Sequence, residues 1–375
     1  MRLINQSICG VTLALAAGGA AAQSSVTLYG VADVFFQYLD NGGNHAISER
    51  SGGNSGSLFG LKGTEDLGNG LKAVFDLENG FTINNGGFFV DSSSMFYRQA
   101  WVGLADDKYG TLTFGRQYQP SFWAIYPTDP FRANEVLSPL DAAVVAVDRN
   151  TLATQNVAGR TSNSMLYRSP NLGGFQLYAM YGLAATVTQP VPESIGNVLD
   201  LALTYSGFGL YAALAYQYQH PGTETLPLGP AGAPIALAQV GTEHYMGALG
   251  YRIGIVNFQF NYSYNRPKDA PVGSLAARLD MANSYSIIEY GATIQATAAD
   301  TIEIAGISRD ARGVHDNTQG VELGFDHNLS KRTALYLRAG YMKNNGGATM
   351  SWPGITVTGS DTHQVLAVLG MTHRF

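Results

Sequence analysis

Along most of this chain, apolar side chains alternate with polar or small ones, one residue in two. In residues 256–264, Val256, Phe258, Phe260, Tyr262 and Tyr264 fall on one face, and Asn257, Gln259, Asn261 and Ser263 on the other. Successive side chains of an extended strand point to opposite sides, whereas a helix would group apolar residues at every third and fourth position. The same period runs through residues 71–77, 321–325 and 335–341. It also ends the chain: in residues 363–375 (HQVLAVLGMTHRF), Val365, Ala367, Leu369, Met371, His373 and Phe375 share one face. A fold made of such segments has to be all-β.

The pattern predicts strands over 25–39, 57–65, 71–81, 95–104, 111–116, 161–168, 175–182 and 197–205, then 210–218, 244–251, 255–264, 284–296, 301–309, 318–327, 334–344 and 363–375. Their connections alternate in length. Seven are short and carry the Gly, Asn, Asp and Pro of tight turns, as in DLGNG at 66–70 and SPNLGG at 169–174. Between them lie eight longer polar or Gly-rich stretches: 40–56, 82–94, 117–160, 183–196, 219–243, 265–283, 310–317 and 345–362. Sixteen strands, seven turns on one side and eight loops on the other describe a closed 16-stranded antiparallel transmembrane β-barrel with short periplasmic turns and long extracellular loops. A secreted sandwich would have no reason to segregate long and short connections, and so many strands without a domain break overfill one sandwich core. A mean hydropathy of −0.01 agrees, since each barrel strand is half polar.

The N-terminus reads as an export signal. Met1-Arg2 precedes an apolar, small-residue run at 8–22, and Ala20-Ala21-Ala22 offers a signal-peptidase pattern. The expected division is a signal peptide at 1–22 and a barrel at 23–375, in the outer membrane. The single cysteine, Cys9, lies within the signal, which excludes disulfides and Cys-based sites from the mature chain. With 22 basic and 28 acidic residues the net charge is −6, which argues against nucleic acid as a partner.

Several stretches resemble the general diffusion porins of β-proteobacteria. They are SSVTLYGVAD at 24–33, GLKGTEDLGNGLKA at 60–73, RQAWVGL at 98–104, FGRQ at 114–117, YRSPNLGGF at 167–175 and NLSKRTALY at 328–336, together with the terminal Phe375. The resemblance spans the chain beyond the signal. It implies a homotrimer of sixteen-stranded barrels in outer-membrane lipid, passing small hydrophilic solutes and ions. It also implies that the C-terminal strand ending in Phe375 is read by the barrel-assembly machinery.

The site of such a protein is the lining of its hole. A Lys or Arg facing lipid at the midplane costs about 2–4 kcal/mol, so strand charges are expected to point inward. Lys62 falls on the face opposite Phe59 and Leu61 and is expected in the lumen, with Asp33, Asp76 and Glu78 also inward. By resemblance, Lys62, Arg98, Arg116 and Arg160 match a basic ladder on the barrel wall. The third loop, 117–160, is long enough to need a functional reason, and the resemblance implies that it folds into the barrel. Its carboxylates Asp129, Glu135, Asp141 and Asp148, with Arg132 and Arg149 among them, would face the wall and set up a transverse field. Where relatives carry Pro-Glu-Phe-Gly, this loop has Asp129-Pro130-Phe131-Arg132, so which acid reaches the pore stays open. A single loop acid has the competing reading of a solvated surface charge.

Tyr38, Tyr97, Trp101, Tyr109, Tyr218, Tyr264 and Phe375 lie near strand ends, where interfacial aromatic girdles form, with packing into the lumen as the alternative for each. The Pro-rich 221–234 is an oddly apolar outer loop, read either as a latch onto a neighbouring subunit or as a mobile segment. No catalysis, metal or cofactor is expected: none of the seven His residues has a nucleophile at a suggestive position. A weakly selective channel with a mild anion preference is the leading expectation. The alternatives are a substrate-dedicated channel on the same scaffold and a surface adhesin or structural barrel.

Overall fold

The computed structural model describes residues 25–146, 159–187, 196–226, 235–268, 283–355 and 361–375. The expected signal peptide at 1–22 and residues 227–234 of the Pro-rich loop lie outside the described residues. The strands are β1 (Ser25–Asn41), β2 (Asn44–Ser51), β3 (Leu58–Gly68), β4 (Leu71–Gly80), β5 (Gln99–Asp106), β6 (Gly110–Tyr118), β7 (Arg160–Arg168), β8 (Phe175–Gly182), β9 (Val198–Gly207) and β10 (Leu210–Gln219). They continue with β11 (Gly222–Leu226), β12 (Ile235–Gln239), β13 (Gly241–Ile253), β14 (Val256–Lys268), β15 (Tyr285–Gln295), β16 (Asp300–Ala311), β17 (Asn317–Asn328), β18 (Thr333–Asn345) and β19 (His363–Arg374).

Sixteen of these form the wall, each antiparallel to its chain neighbours, and β1 closes the ring. The first part of β1 pairs with β3, from Ser25↔Thr64 to Val31↔Leu58. Its remainder pairs with β19, from Val31↔Arg374 to Asn41↔Gln364. A closed barrel leaves no edge, the only way a sheet can satisfy its backbone in lipid. The last residue completes the seam: Gly30 N donates to Phe375 O at 3.2 Å and Phe375 N to Gly30 O at 3.1 Å. The Phe375 ring lies over Gly30, where a Cβ would sit 2.3 Å from its Cζ. Short connections of two to six residues join one end, as the turn-residue pattern requires.

Alternation decides what faces where. On β19, Leu369, Met371 and Phe375 are exposed on the outer wall, while Gln364, Leu366, Val368 and Thr372 are buried on the inner one. Two of the strand-end aromatics take the lumen alternative by the same parity. Trp101 pairs with Asp76, on the inner face, and Tyr97, in phase with Gln99 and Trp101, is buried.

Two elements depart from the expected loops. β2 lies within the expected first loop and pairs with the upper half of β1, from Asn41↔Asn44 to Val34↔Ser51. Between β2 and β3 the chain leaves the wall at Gly52 (φ +85°) and turns into the lumen. There the Asp33 carboxylate accepts the backbone N–H of Gly53 at 2.9 Å, Asn54 at 3.1 Å and Ser55 at 2.9 Å, and the Tyr336 hydroxyl at 2.6 Å. β11 and β12 form a separate two-stranded hairpin off the ring.

Candidate functional site: the channel interior

Between β6 and β7 the chain enters the barrel and builds α1 (Pro120–Ile125), a 3-10 turn (Tyr126–Thr128) and α2 (Pro139–Val145). Both helices start with Pro in the first turn, where its missing N–H costs nothing. Ser138 caps α2 by accepting from the Leu140 and Asp141 N–H groups. α1 is tied to the wall by Asp200 of β9, which accepts Ser121 N at 2.9 Å, Ser121 Oγ at 2.6 Å and Gln217 Nε2 at 2.6 Å. The tip around α2 seats on an apolar patch of the inner wall. Val136, Leu137, Leu140, Ala142 and Ala143 pack with Phe35, Leu39, Ile287, Ile307, Tyr336 and Leu366. These inward apolar residues are a core for the loop, inside what would otherwise be a wet lumen.

An ionic clamp holds the other side. Glu135 accepts from Arg98 Nη1 at 2.5 Å and pairs with Arg160 Nη2 at 2.5 Å. Arg98 Nε also pairs with Glu78 of β4 at 2.6 Å, and its Nη2 donates to the Tyr118 hydroxyl at 2.9 Å. Arg160 stacks over the Tyr118 ring at 4.2 Å. Burial opposes ionisation of Glu135, but Arg98 and Arg160 outweigh it and hold the carboxyl down at about 2.

The loop leaves a cavity of about 940 Å³ inside the barrel. Its charged lining is Arg50, Arg98, Arg116, Arg132, Arg160 and Arg374 against Glu78, Glu135 and Asp141. Burial pushes the Asp141 carboxyl up to about 8, with repulsion from Glu135 adding to it and Arg160 opposing. Glu78 and Glu135 are spent on Arg98 and Arg160. Arg50 donates to Gln37 and the Pro353 carbonyl, and Arg374 to Ser55. Among the described residues, Arg50, Arg116, Arg132 and Arg374 have no carboxylate within ion-pair distance. The lining is therefore net basic in a net acidic chain.

The expected site residues separate into groups. Arg98, Arg160, Glu135 and Asp141 come together at the loop, but wall and loop are in contact there and not opposed across open water. Lys62 points inward as its parity requires, pairing opposite Asp76 and lying 4.9 Å from the centre of the Tyr29 ring. It does not border the cavity: along β4 it is three residues from the level of Arg98, about 10 Å. Arg116 departs from the ladder. It pairs with Ala100, in the register of Phe114 and Val102, which are 47% and 59% exposed on the outer wall. It lies beside a register shift against β7, where the step from Thr161 to Ser164 carries one residue more than that from Gly115 to Gln117, and it reaches the cavity's rim bound to the Tyr97 carbonyl and to Ser162 Oγ at 2.9 Å. Asp129 is a loop organiser and not a lining group: buried, it accepts from Phe131 N and Ala133 N at 2.7 Å each and from Ser138 Oγ at 2.5 Å. Asp148 lies outside the described residues.

Arg50 and Arg374 were not among the expected lining residues, and Arg132 was expected only as a base among the third loop's acids. Arg374 was within reach of the alternation, since it shares the inner face of β19 with Thr372 and Gln364. Arg50 required knowing that β2 exists. Among the described residues, no group of three or more His, Cys, Asp or Glu side chains could hold a metal ion.

A family model described as Gram-negative porin matches residues 10–347. The chain is similar to outer membrane porin protein 32 of Delftia acidovorans, 28% identical over 355 residues, covering 92% of each chain. It is similar to an outer membrane porin protein of Bordetella pertussis, 28% identical over 380 residues, covering 90% of this chain and 94% of that one. Among solved structures, the anion-selective porin from Comamonas acidovorans superposes with a TM-score of 0.76 at 25% identity, covering 94% of this chain and 100% of that one.

Proposed function

The chain belongs to the Gram-negative porin family and is an outer-membrane β-barrel channel, and from that premise we propose that it works as a homotrimeric general-diffusion porin that favours anions. The observation that carries the preference is the lining: six arginines against three carboxylates, two of those carboxylates already paired. The similarity to an anion-selective porin supports it. Selectivity follows the local field and not the chain's total charge, because a low-dielectric wall focuses field lines into the water it encloses. Unpaired guanidiniums along the path raise the local concentration of anions and lower that of cations. Solutes cross by passive diffusion, limited in size by the third loop.

In this reading Arg98, Arg160 and Glu135 fix the loop, and Arg50, Arg132 and Arg374 supply the field. Arg116 adds positive charge at the rim, Asp141 a carboxyl at the loop, and Lys62 a charge on the periplasmic side that Asp76 offsets. Residues 1–22 serve as the export signal. Phe375, exposed at the end of the closing strand, serves the barrel-assembly machinery as its recognition residue. Recording in planar bilayers tests the channel: large, ohmic steps in simple salt are expected. Small currents blocked by one solute would instead mean a dedicated channel, and no conductance an adhesin or structural barrel. A heat-sensitive high-mass band in detergent gels is the expected sign of the trimer, and a monomer-only band contradicts it.

A further inference from the structure

The first turns of the third loop place four aromatic rings on the channel wall. Tyr118 and Phe122 stack with centroids 4.5 Å apart, Trp123 meets Tyr118 at 5.3 Å and Phe122 at 5.6 Å, and Tyr126 meets Phe122 at 5.6 Å and Trp123 at 6.0 Å. All four border the cavity, and Trp123 is 39% exposed. The platform is rigid: the Tyr211 hydroxyl donates to the Ala124 carbonyl at 2.8 Å, and Asp200 holds Ser121. An exposed indole does nothing for hydrated ions, since an apolar face in a narrow lumen competes poorly with water for them. What it offers is a flat, polarisable surface for another ring, at the 4.5–7 Å spacing aromatic pairs adopt.

The surrounding charge selects which ring. Arg116 and Arg132 border the same cavity with no carboxylate within ion-pair distance among the described residues, and Arg160 caps the Tyr118 face. Glu135, the carboxylate nearest the platform, is held by Arg98 and Arg160 and is not free to take a sugar's hydroxyls, and an aromatic cation would be repelled. We propose that the Tyr118–Phe122–Trp123–Tyr126 cluster is a subsite for aromatic carboxylates of the benzoate type. Their ring lies on Trp123 and Phe122, and their carboxylate sits in the field of the lining arginines. The proposal rests on the open-channel reading above and names a class of solute that the channel retains during passage.

The test is block of chloride current through the purified protein in planar bilayers. Sodium benzoate is compared with cyclohexanecarboxylate, which has the same charge but no π system, and with benzamide, which keeps the ring without the charge. Benzoate should block at a concentration about fivefold lower than either, the equivalent of about 1 kcal/mol. In Trp123→Ala that preference over cyclohexanecarboxylate should collapse to within about twofold, and in Trp123→Phe most of it should return. Equal block by benzoate and cyclohexanecarboxylate in the wild type overturns the subsite, as does a preference that survives both Trp123→Ala and Phe122→Leu. A wild-type protein that carries no chloride current overturns the open-channel reading itself, and the subsite with it.

Discussion

Glu135→Gln breaks the ionic half of the third loop's attachment to the wall. In the native protein the carboxylate bridges two guanidiniums that are almost fully buried, Arg98 and Arg160, each at 2.5 Å. Holding its pKa at about 2, against an ordinary 4.5, corresponds to about 3 kcal/mol in favour of the ionised, clamped form. Breaking a buried pair by removing one partner costs about 3–5 kcal/mol, in the same range. Arg98 keeps Glu78 at 2.6 Å, so the uncompensated charge falls on Arg160. The apolar seat remains: Leu137 and Leu140 are fully buried, at about 1.5–3 kcal/mol each. The loop should therefore stay inside the barrel but fluctuate, its attachment at Arg160 loosened about 100-fold. The lining also loses one of its three carboxylates, so the net basic field grows. Single-channel recording should show excess open-channel noise, and the zero-current potential under a salt gradient should move further toward chloride. Because the clamp is buried, the noise difference should persist in 1 M salt, where exposed pairs are screened within about 3 Å. A channel as quiet as the wild type, or one shifted toward cations, would refute the reasoning.

The same carboxylate sets a pH dependence. A depressed pKa contributes stability that is complete above the unfolded value near 4.5 and is lost as pH falls through about 2. Channel noise should stay constant from pH 7 to 5 and rise between about 4.5 and 2; a transition near pH 6 would contradict the assignment. Leu140→Ala removes a fully buried side chain from the loop's apolar seat and should cost about 2–5 kcal/mol of loop anchoring. Limited proteolysis at the third loop should speed up accordingly, and unchanged protection would exclude the seat. Gly30→Ala places a Cβ 2.3 Å from Phe375 Cζ and 2.7 Å from the Leu58 carbonyl. Overpacking of this kind costs about 1–3 kcal/mol, so the temperature at which the folded barrel unfolds in detergent gels should fall; no shift would mean that the seam at Phe375 carries little.

The barrel itself was legible because a membrane wall imposes period two on every strand, and that period survives in residues such as Val256–Asn257–Phe258–Gln259. β2 was not legible: NHAISERS carries no apolar alternation, and its extension is dictated by pairing with β1. Arg116 shows a second limit. Its register with Ala100 and Phe114 gives it the parity of the outer wall, yet it reaches the cavity's rim beside a bulge whose extra residue lies on β7, between Thr161 and Ser164. Gly115 at φ +130° marks that bulge, but a glycine in a strand does not announce which way its neighbour will turn. For Tyr97 and Trp101 the alternation with the outward Val102 already held the answer, and proximity to a strand end was the weaker guide.

The third loop was legible in its length and its charges but not in its contacts. Glu135 could be named as a candidate, yet its pairing with Arg98 and Arg160 depends on a chain path that no local pattern records. The apolar seat is the same case. Leu137 and Leu140 have no period against which to read them, and the inward Phe35 and Leu39 break the polar lining that a water-filled barrel leads one to expect. Those exceptions on β1 are the sequence's trace of a loop packed inside.

Six arginines against three carboxylates turn an acidic chain into an anion-favouring channel. The most direct test is the zero-current potential of the wild-type protein in a planar bilayer separating dilute from concentrated potassium chloride at neutral pH. An arginine-dominated lining gives the sign that reports chloride as the more permeant ion, with the preference weakening as salt rises and the guanidiniums are screened. A potential of the opposite sign would contradict it.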